Sequence, residues 1–453
     1  MSYWSDFCQD FQNKKVLIFG LGLQGGGVQV ANTFVTAGAQ VRVSDQKTES
    51  ELTDSLNQLN PAIEVHTGSH PPEDIDWAEY VIKNPGVPYE HPLIQTALEQ
   101  SKPVVGETAL ALTYLRDHSI AVTGTRGKTT TAHLIAHFLQ TANIPHVLAG
   151  NIPGSPLLPQ LINLDDQTWT VVEISSFQIE SLRYTKTSAQ IAVITSIYPD
   201  HLNRYQDWSA YLQAKTDLFS YQKPGDTAIY QADRDWSPWL EDALADEVNI
   251  YQITQEMITD LRQQYQTNLP GDHNWENIAL AIQAVQSFGL TNEQIQSAMA
   301  TFNGVPFRLE TIAVKQGVTY INDTTATTPT ALEKALDAYK NQKIILIAGG
   351  ATKHLPLSPE LINQLANQPT ALILLRGSGQ QEIQTAFNQK NLAPTQLFLA
   401  ESLAEAVQKA SQLAQDFKAE AVLLSPGFTS FEMFTNEFDR GEQFNELVRQ
   451  LPE

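Results

Sequence analysis

A single cysteine, Cys8, occurs in 453 residues. That excludes an internal disulfide framework and any zinc site built on cysteines. Basic residues are also scarce: 28 Lys and Arg face 50 Asp and Glu, a net charge of −22. Such a balance argues against general binding to nucleic acid or to an anionic membrane. An anionic substrate must then be held by local groups rather than by the overall field. No uncharged apolar run reaches the roughly 20 residues of a spanning helix. The opening segment MSYWSDFCQD has neither the basic nor the apolar region of a secretory signal. The expectation is a cytoplasmic protein without membrane insertion. Internal repeats of solenoid period and low-complexity tracts are absent too. What is present is 42% hydrophobic residues, enough for a sizeable core, in a length that suits roughly three domains.

The most informative stretch is Ile120–Thr131, IAVTGTRGKTTT. Ile120-Ala121-Val122 reads as the end of a buried strand, and Gly124-Thr125-Arg126-Gly127 as a tight turn. Lys128-Thr129-Thr130 opens a helix expected to run to about Gln140. Strand, glycine loop, Lys-Thr and helix together make a phosphate site, because loop amides and the positive helix end face one anion. Lys128 adds a point charge on the outer phosphates, and the Thr129 hydroxyl can reach magnesium. The full P-loop pattern asks for glycine where Val122 stands.

Nearer the N-terminus, the strand Lys15–Phe19 runs into Gly20-Leu21-Gly22-Leu23-Gln24-Gly25, a G-x-G-x-x-G pattern. A helix follows from about Gly26 to Ala37, then the strand Gln40–Ser44, which ends at Asp45. This is a dinucleotide fingerprint with its acidic residue. Nothing downstream supplies a hydride-transfer site, so the fingerprint reads as a nucleotide diphosphate site rather than an NAD site. Tyr80–Lys83 is a further strand, with the loop Asn84-Pro85-Gly86-Val87-Pro88 at its end.

In the central region, His133 and His137 share a helix face, but Leu134 occupies the glutamate position of a zinc helix, so they read as ordinary histidines. Glu173 interrupts the apolar strand Trp169–Ile174. A buried acid needs a partner, either a metal ion near Lys128 or a structural cation. The strand Ala189–Ser196 ends in a loop carrying Asp200 and His201, a position that holds ligands in doubly wound sheets. Lys215 lies in a helix over 208–221, and by spacing alone is a helix lysine. Asn274 and Asn277 share a face near a helix start and serve either as caps or as base-reading amides. The last region repeats an α/β rhythm, with strands at Val318–Asn322, Lys343–Ala348, Ala371–Leu375 and Ala421–Leu424. Helices are expected at Thr330–Tyr339 and Ser402–Phe417.

The ordered segments GTRGKTT, EISSFQIE, PDHLNRY, AKTDLF, DHNWENIA, PFRLE, INDTTAT and LSPGFTSFEMF resemble the Mur ligases over essentially the whole chain. The resemblance implies an α/β fold of three domains. These would be a UDP-substrate-binding Rossmann-like domain (1–106), a central P-loop-type ATPase domain with a parallel sheet (107–304) and a Rossmann-like amino-acid-binding domain (305–453). It implies ATP-dependent amide formation through an acyl phosphate in peptidoglycan precursor synthesis, on UDP-N-acetylmuramoyl-L-alanine and glutamate, by a monomer. Gly124, Thr125, Arg126, Gly127, Lys128, Thr129 and Thr130 would hold the ATP phosphates. Asn277 would read the adenine, and Arg308 and Asp323 would meet the ATP phosphates and ribose. Two magnesium ions are implied, on Thr129, Glu173, His201 and a carbamylated Lys215. Lys128, His201 and Lys215 would be the catalytic groups. Gly22, Leu23, Gln24, Asp45, Gln46 and Lys47 would take the UDP, with Asn151, Ser175 and Gln178 on the muramoyl-alanine arm. Thr327, Lys353 and Ser430 would take the amino acid.

Four positions depart from the family pattern. Arg126 stands for Asn, Pro153 for Gly, Thr325 for Lys, and Glu437 for an aromatic residue. The last two lie by the amino-acid site and make it less positive. They leave D-glutamate as the favoured substrate and L-glutamate as the alternative. Other ligases of the folylpolyglutamate or later Mur type share the central domain; the UDP-type first domain and the absence of a D-N-P-R stretch after Gly349-Gly350 speak against the diaminopimelate-adding member. A non-catalytic regulator would need broken metal ligands, and Thr129, Glu173, His201 and Lys215 are all present.

Overall fold

The computed structural model describes residues 2–453 except 24, 153, 199, 201–203, 270–271, 353–354, 393 and 395, and describes His273 without its side chain. The chain forms two compact units, Met1–Phe302 and Asn303–Glu453. The first unit holds two sheets and the second holds one.

The first sheet contains β1 (Lys15–Phe19), β2 (Gln40–Asp45), β3 (Glu64–Thr67), β4 (Tyr80–Lys83) and β5 (Val104–Val105). Their order is β3-β2-β1-β4-β5, all parallel. The chain order reverses between β1 and β4, and ligands of open α/β sheets bind outside the carboxyl ends of strands at such a point. The loops 20–25 and 84–88 are the two that leave those strand ends.

The second sheet contains β6 (Ser119–Thr123), β7 (His146–Gly150), β8 (Trp169–Glu173), β9 (Ile191–Ile194), β10 (Thr227–Gln231) and β11 (Asn249–Ile253). The order β11-β10-β9-β6-β8-β7 is parallel throughout. β6, β8 and β9 are buried along their whole length, apart from the half-buried first residue of β8. That is why they read as near-continuous apolar runs rather than alternating ones. The expected strand Ala189–Ser196 is shorter in the structure, Ile191–Ile194; beyond it the Thr195 amide still bonds the Thr123 carbonyl, while the Thr195 and Ser196 hydroxyls turn to the glycine loop.

The second unit contains β12 (Glu310–Lys315), β13 (Val318–Asn322), β14 (Ile344–Gly349), β15 (Ala371–Leu375), β16 (Leu397–Ala400) and β17 (Ala421–Leu424), in the order β12-β13-β17-β14-β15-β16. β12 pairs antiparallel with β13 and the rest are parallel. Sequence patterning missed β12 and β16, whose residues are half-buried or exposed over most of their length. Edge strands lack the double-sided burial that makes a strand legible.

Candidate active site

β6 ends at Thr123, and the helix Lys128–Thr141 begins at once after a four-residue turn. The turn is possible because two of its residues are glycines. Gly124 has φ +142° and Gly127 has φ +87°, in a region that penalises other residues. A side chain at Gly124 would overlap Thr195 Oγ1, and one at Gly127 would overlap Asn277 Oδ1. The first helical bond runs from the Thr131 amide to the Gly127 carbonyl at 2.9 Å. The amides of 128–130 therefore belong to the unpaired first turn, the anion-binding end of the helix.

The loop is held from outside by the end of β9. The Thr125 amide donates to the Ser196 carbonyl at 2.5 Å, and the Arg126 carbonyl accepts from Thr195 Oγ1 at 2.5 Å and Ser196 Oγ at 3.0 Å. Thr125 Oγ1 accepts from the Tyr198 amide at 3.0 Å and lies 2.9 Å from the Tyr211 hydroxyl. Sequence reasoning missed Thr195, Ser196 and Tyr211. Their only signal was proximity to the strand end and to Lys215.

Two lysines converge on one loop carbonyl. Gly124 O accepts from Lys128 Nζ at 3.0 Å and from Lys215 Nζ at 2.9 Å. Lys215 is 2% exposed and lies 4.9 Å from the centre of the Tyr211 ring. Burial, and secondarily the Lys128 charge, push its pKa well below the ordinary lysine value, against the opposing pull of Asp200. A buried amine beside a second cation is therefore poised toward its neutral form.

Glu173 ends β8, the neighbour of β6, and is 3% exposed. Asn151 Nδ2 donates to its Oε1 at 2.9 Å, while Oε2 is buried without a hydrogen-bond partner among the described residues. An orphaned carboxylate oxygen in a buried position is costly unless a cation completes it. The residues therefore fit a divalent ion held by oxygen ligands. Thr129 is half-buried on the first turn of the adjacent helix.

Ser175 and Gln178 form a reciprocal cap on the helix Ser176–Ile179. Gln178 Oε1 accepts from the Ser175 amide at 3.0 Å and from Ser175 Oγ at 2.9 Å. Its Nε2 donates to Thr108 Oγ1 at 2.8 Å, and Thr108 in turn donates to Glu107. The buried Glu107 also accepts from the Leu158 amide at 2.8 Å. Gln178 is thus engaged at both ends inside the protein, and it positions Ser175. Asn277 is similarly committed: its Oδ1 accepts from Thr131 at 3.4 Å, and its Nδ2 donates to Asn274 at 3.1 Å. The pair sits inside the helix His273–Val285 rather than capping it.

In the first sheet, the Asp45 carboxylate accepts from the amides of Leu21 at 2.7 Å, Gly22 at 3.2 Å and Lys47 at 2.9 Å. It ties the glycine loop to the end of β2, and two loop amides are spent on it. Beside it lies a cavity of about 490 Å³ lined by Gln46, Gly68, Ser69, His70, His91 and Leu93. His70 stacks on Phe19 at 3.8 Å and lies 2.8 Å from Ser44 Oγ. Burial and His91 push its pKa down to about 4, so the cavity wall is uncharged at neutral pH. Leu23 is 53% exposed at the loop tip.

In the second unit, the Asp323 carboxyl follows β13 and accepts from Ser425 Oγ at 2.7 Å and from the Leu309 amide at 3.1 Å. Burial pushes its pKa up to about 7 despite those bonds and the nearby Arg308. Ser430 is 2% exposed, and its hydroxyl has no hydrogen-bond partner among the described residues. Thr327 is half-buried. Thr325 is occupied locally, donating to the Phe307 carbonyl at 2.9 Å. Arg440 is fully buried and donates to the Thr324 hydroxyl and carbonyl and to the carbonyls of Phe428 and Thr429. Glu437 acts on it electrostatically, so the acid that departs from the family pattern faces a buried cation. Gln24, Pro153, His201 and Lys353 lie outside the described residues.

Three family models match in the order of the sheets. They are the Mur ligase MurD-like N-terminal domain over 14–106, the Mur ligase middle domain over 122–285, and the Mur ligase glutamate ligase domain over 307–428. A UDP-N-acetylmuramoylalanine–D-glutamate ligase of Roseiflexus sp. is 35% identical, covering 96% of this chain and 98% of its own. The enzyme of the same name from Koribacter versatilis is 33% identical over 98% and 99%.

The chain belongs to the Mur ligase family.

Among solved structures, the UDP-N-acetylmuramate-alanine ligase of Thermotoga maritima shares the fold at 19% identity, with a TM-score of 0.55 over 96% of this chain and 99% of its own. The MurF ligase of the same organism, in complex with ADP, shares it at 15% identity, with a TM-score of 0.51 over 98% and 97%. The three α/β domains of a Mur ligase are thus present. Among the described residues, no helix is long and apolar enough to cross a membrane.

Proposed function

We propose that this Mur ligase joins D-glutamate to the carboxylate of UDP-N-acetylmuramoyl-L-alanine at the expense of ATP, a step of peptidoglycan precursor synthesis in the cytoplasm. The full-length likeness to ligases of that name supports the reaction. The observation that carries the site is the meeting of Lys128 and the buried Lys215 on the Gly124 carbonyl, one strand from the half-satisfied Glu173.

The chemical need is to bring the γ-phosphate of ATP against a carboxylate, two anions that repel. Loop amides, the helix end and Lys128 would neutralise and orient the phosphates. Thr129 and Glu173 would hold one magnesium ion, and His201 with Lys215 a second; bound there, the ions would supply further charge neutralisation. Lys215 suits that role as a carbamate, which replaces a cation by a carboxylate-like ligand. Its burial beside Lys128 favours the neutral amine that takes up carbon dioxide. Asn277 would close the loop on the adenine side, and Arg308 and Asp323 would meet the nucleotide. Asn151 and Ser175, oriented by Gln178, would hold the muramoyl-alanine arm. The loop around Gly22, Leu23 and Gln24 and the turn Asp45-Gln46-Lys47 would take the UDP. Thr327, Lys353 and Ser430 would hold glutamate, whose amine attacks the acyl phosphate and releases phosphate. Domain boundaries at 106/107 and 304/305 and a monomeric enzyme complete the reading.

The test is phosphate release from ATP with UDP-N-acetylmuramoyl-L-alanine and D-glutamate, L-glutamate, aspartate, lysine or diaminopimelate at equal concentration. D-glutamate should dominate, and activity should fall in buffer stripped of carbon dioxide and return with bicarbonate. Preference for aspartate, lysine or diaminopimelate defeats the glutamate assignment, and preference for L-glutamate defeats its stereochemistry. Indifference to bicarbonate, with no carbamate on Lys215 by carbon-13 NMR, defeats the carbamate.

A further inference from the structure

The guanidinium of Arg204 lies where the two sheets of the first unit meet. Its Nη1 donates to the Gly86 carbonyl at 3.0 Å. Its Nη2 reaches the Val87 carbonyl at 3.4 Å and Glu180 Oε2 at 3.1 Å. The guanidinium also lies 5.0 Å from the centre of the Phe177 ring. Lys83, 1% exposed, donates to the same Val87 carbonyl at 2.9 Å. A buried lysine and a half-buried arginine therefore hold the short loop 84–88. Burying the Lys83 charge is costly, and the Arg204 side chain is largely withdrawn from water as well, 16% exposed. Neighbouring contacts stiffen it. Tyr89 donates to Ser181 Oγ at 2.8 Å and stacks on Tyr184 at 4.4 Å.

The loop has a second neighbour. Asn84 packs directly against the diphosphate loop: a side chain at Gly20 would come within 3.0 Å of Asn84 Cβ, and one at Gly22 within 3.1 Å of Asn84 Nδ2. The Asn84 side chain also accepts from the Gly86 amide at 2.9 Å, which ties the residue facing the glycine loop to the one whose carbonyl Arg204 holds. At its other end, Arg204 stands three residues beyond His201 in sequence, and Glu180 follows directly on the helix that Ser175 and Gln178 cap. Arg204 thus bonds at once to the loop beside the UDP site and to the segment beside the acyl site.

We propose that Arg204 is a positioning residue that couples UDP binding to the reacting carboxylate. This rests on the reading of the substrate given above. The substrate spans both places, with its nucleotide at one and its carboxylate at the other. Binding energy gathered on the remote uridine can raise the rate only if the two places are held at a fixed separation. Charge-assisted bonds from a planar guanidinium, to the Gly86 and Val87 carbonyls on one side and to Glu180 on the other, supply that fixity.

The experiment compares UDP-N-acetylmuramoyl-L-alanine with N-acetylmuramoyl-L-alanine 1-phosphate, which keeps the reacting carboxylate and lacks uridine monophosphate. In the wild type, the uridine part should raise kcat as well as lower KM. In Arg204→Ala, kcat on the full substrate should fall roughly 10- to 100-fold, the factor expected for lost charge-assisted bonds. Turnover of the truncated substrate should stay within about twofold, and Arg204→Lys should recover part of the loss. Equal loss on both substrates would mean a merely structural tie and would overturn the proposal, as would an undiminished uridine advantage. If Arg204→Ala does not fold, Glu180→Gln, which weakens the same clamp at constant size, must show the same substrate-selective loss. Failure of the wild type to form amide from the full substrate would overturn the functional reading instead.

Discussion

At the scale of single residues, the proposed site rests on charged groups withdrawn from solvent, Lys128 half-buried and Asp323 buried. Lys128 currently bonds its own loop at Gly124 and Thr125, so an arriving phosphate would replace those carbonyls. Lys128→Ala should fold normally and lose on the order of 10²- to 10³-fold in kcat, because its charge acts where charge moves. Steady-state phosphate release, with circular dichroism as the folding control, measures this, and near-normal turnover removes Lys128 from the mechanism. Asp323 provides a pH dependence with a definite sign. Its folded pKa of about 7 lies above the ordinary 3.8, so the folded state holds the proton more tightly than the unfolded one. That contribution is full below about pH 4 and is lost as pH rises through about 7. The stability of wild type relative to Asp323→Asn should therefore decline between pH 5 and 7.5 in urea titrations. A flat difference would show that burial does not perturb this carboxyl.

At the scale of elements, the strand ends do the positioning. β6, β8 and β9 are adjacent, so the glycine loop, Glu173 and the 195–198 segment leave the sheet side by side. The helix Glu107–Leu115 contributes through its first turn. The chain Glu107–Thr108–Gln178–Ser175 fixes the polarity of every hydrogen bond in it. The Ser175 amide can only donate, so the Gln178 carbonyl faces it and the Gln178 amide must face Thr108. Thr108→Val should therefore loosen Ser175 and raise KM for the muramoyl substrate about tenfold, one broken buried bond, with KM for ATP unchanged. Thr108→Ser should behave as wild type. An equal rise in both KM values would point to general damage.

At the scale of the whole molecule, each unit carries its own core. The clusters around Ile347 and Leu346 cover the two faces of the third sheet using residues of the second unit alone. Residues 303–453 expressed alone should therefore unfold cooperatively, with a single transition by fluorescence and circular dichroism; a non-cooperative melt would show that the unit needs the rest of the chain. Much of this organisation was legible in the sequence. β1, β4, β13, β15 and β17 have the bounds their apolar runs suggested, and the glycine loop, Lys128 and the helix behind it follow from local chemistry. Local rules read these features because strand burial, positive φ and helix capping depend on a few neighbouring residues. Tertiary structure alone decided the rest. It turned Asp45 inward onto the loop amides, closed Gln178 into a relay with Glu107, and set Lys215 beside Lys128 on one carbonyl. It also carried Arg204 to a loop more than a hundred residues earlier in the chain. A side chain's partner across such a separation is chosen by how sheets and helices pack, and spacing along the sequence carries no record of it.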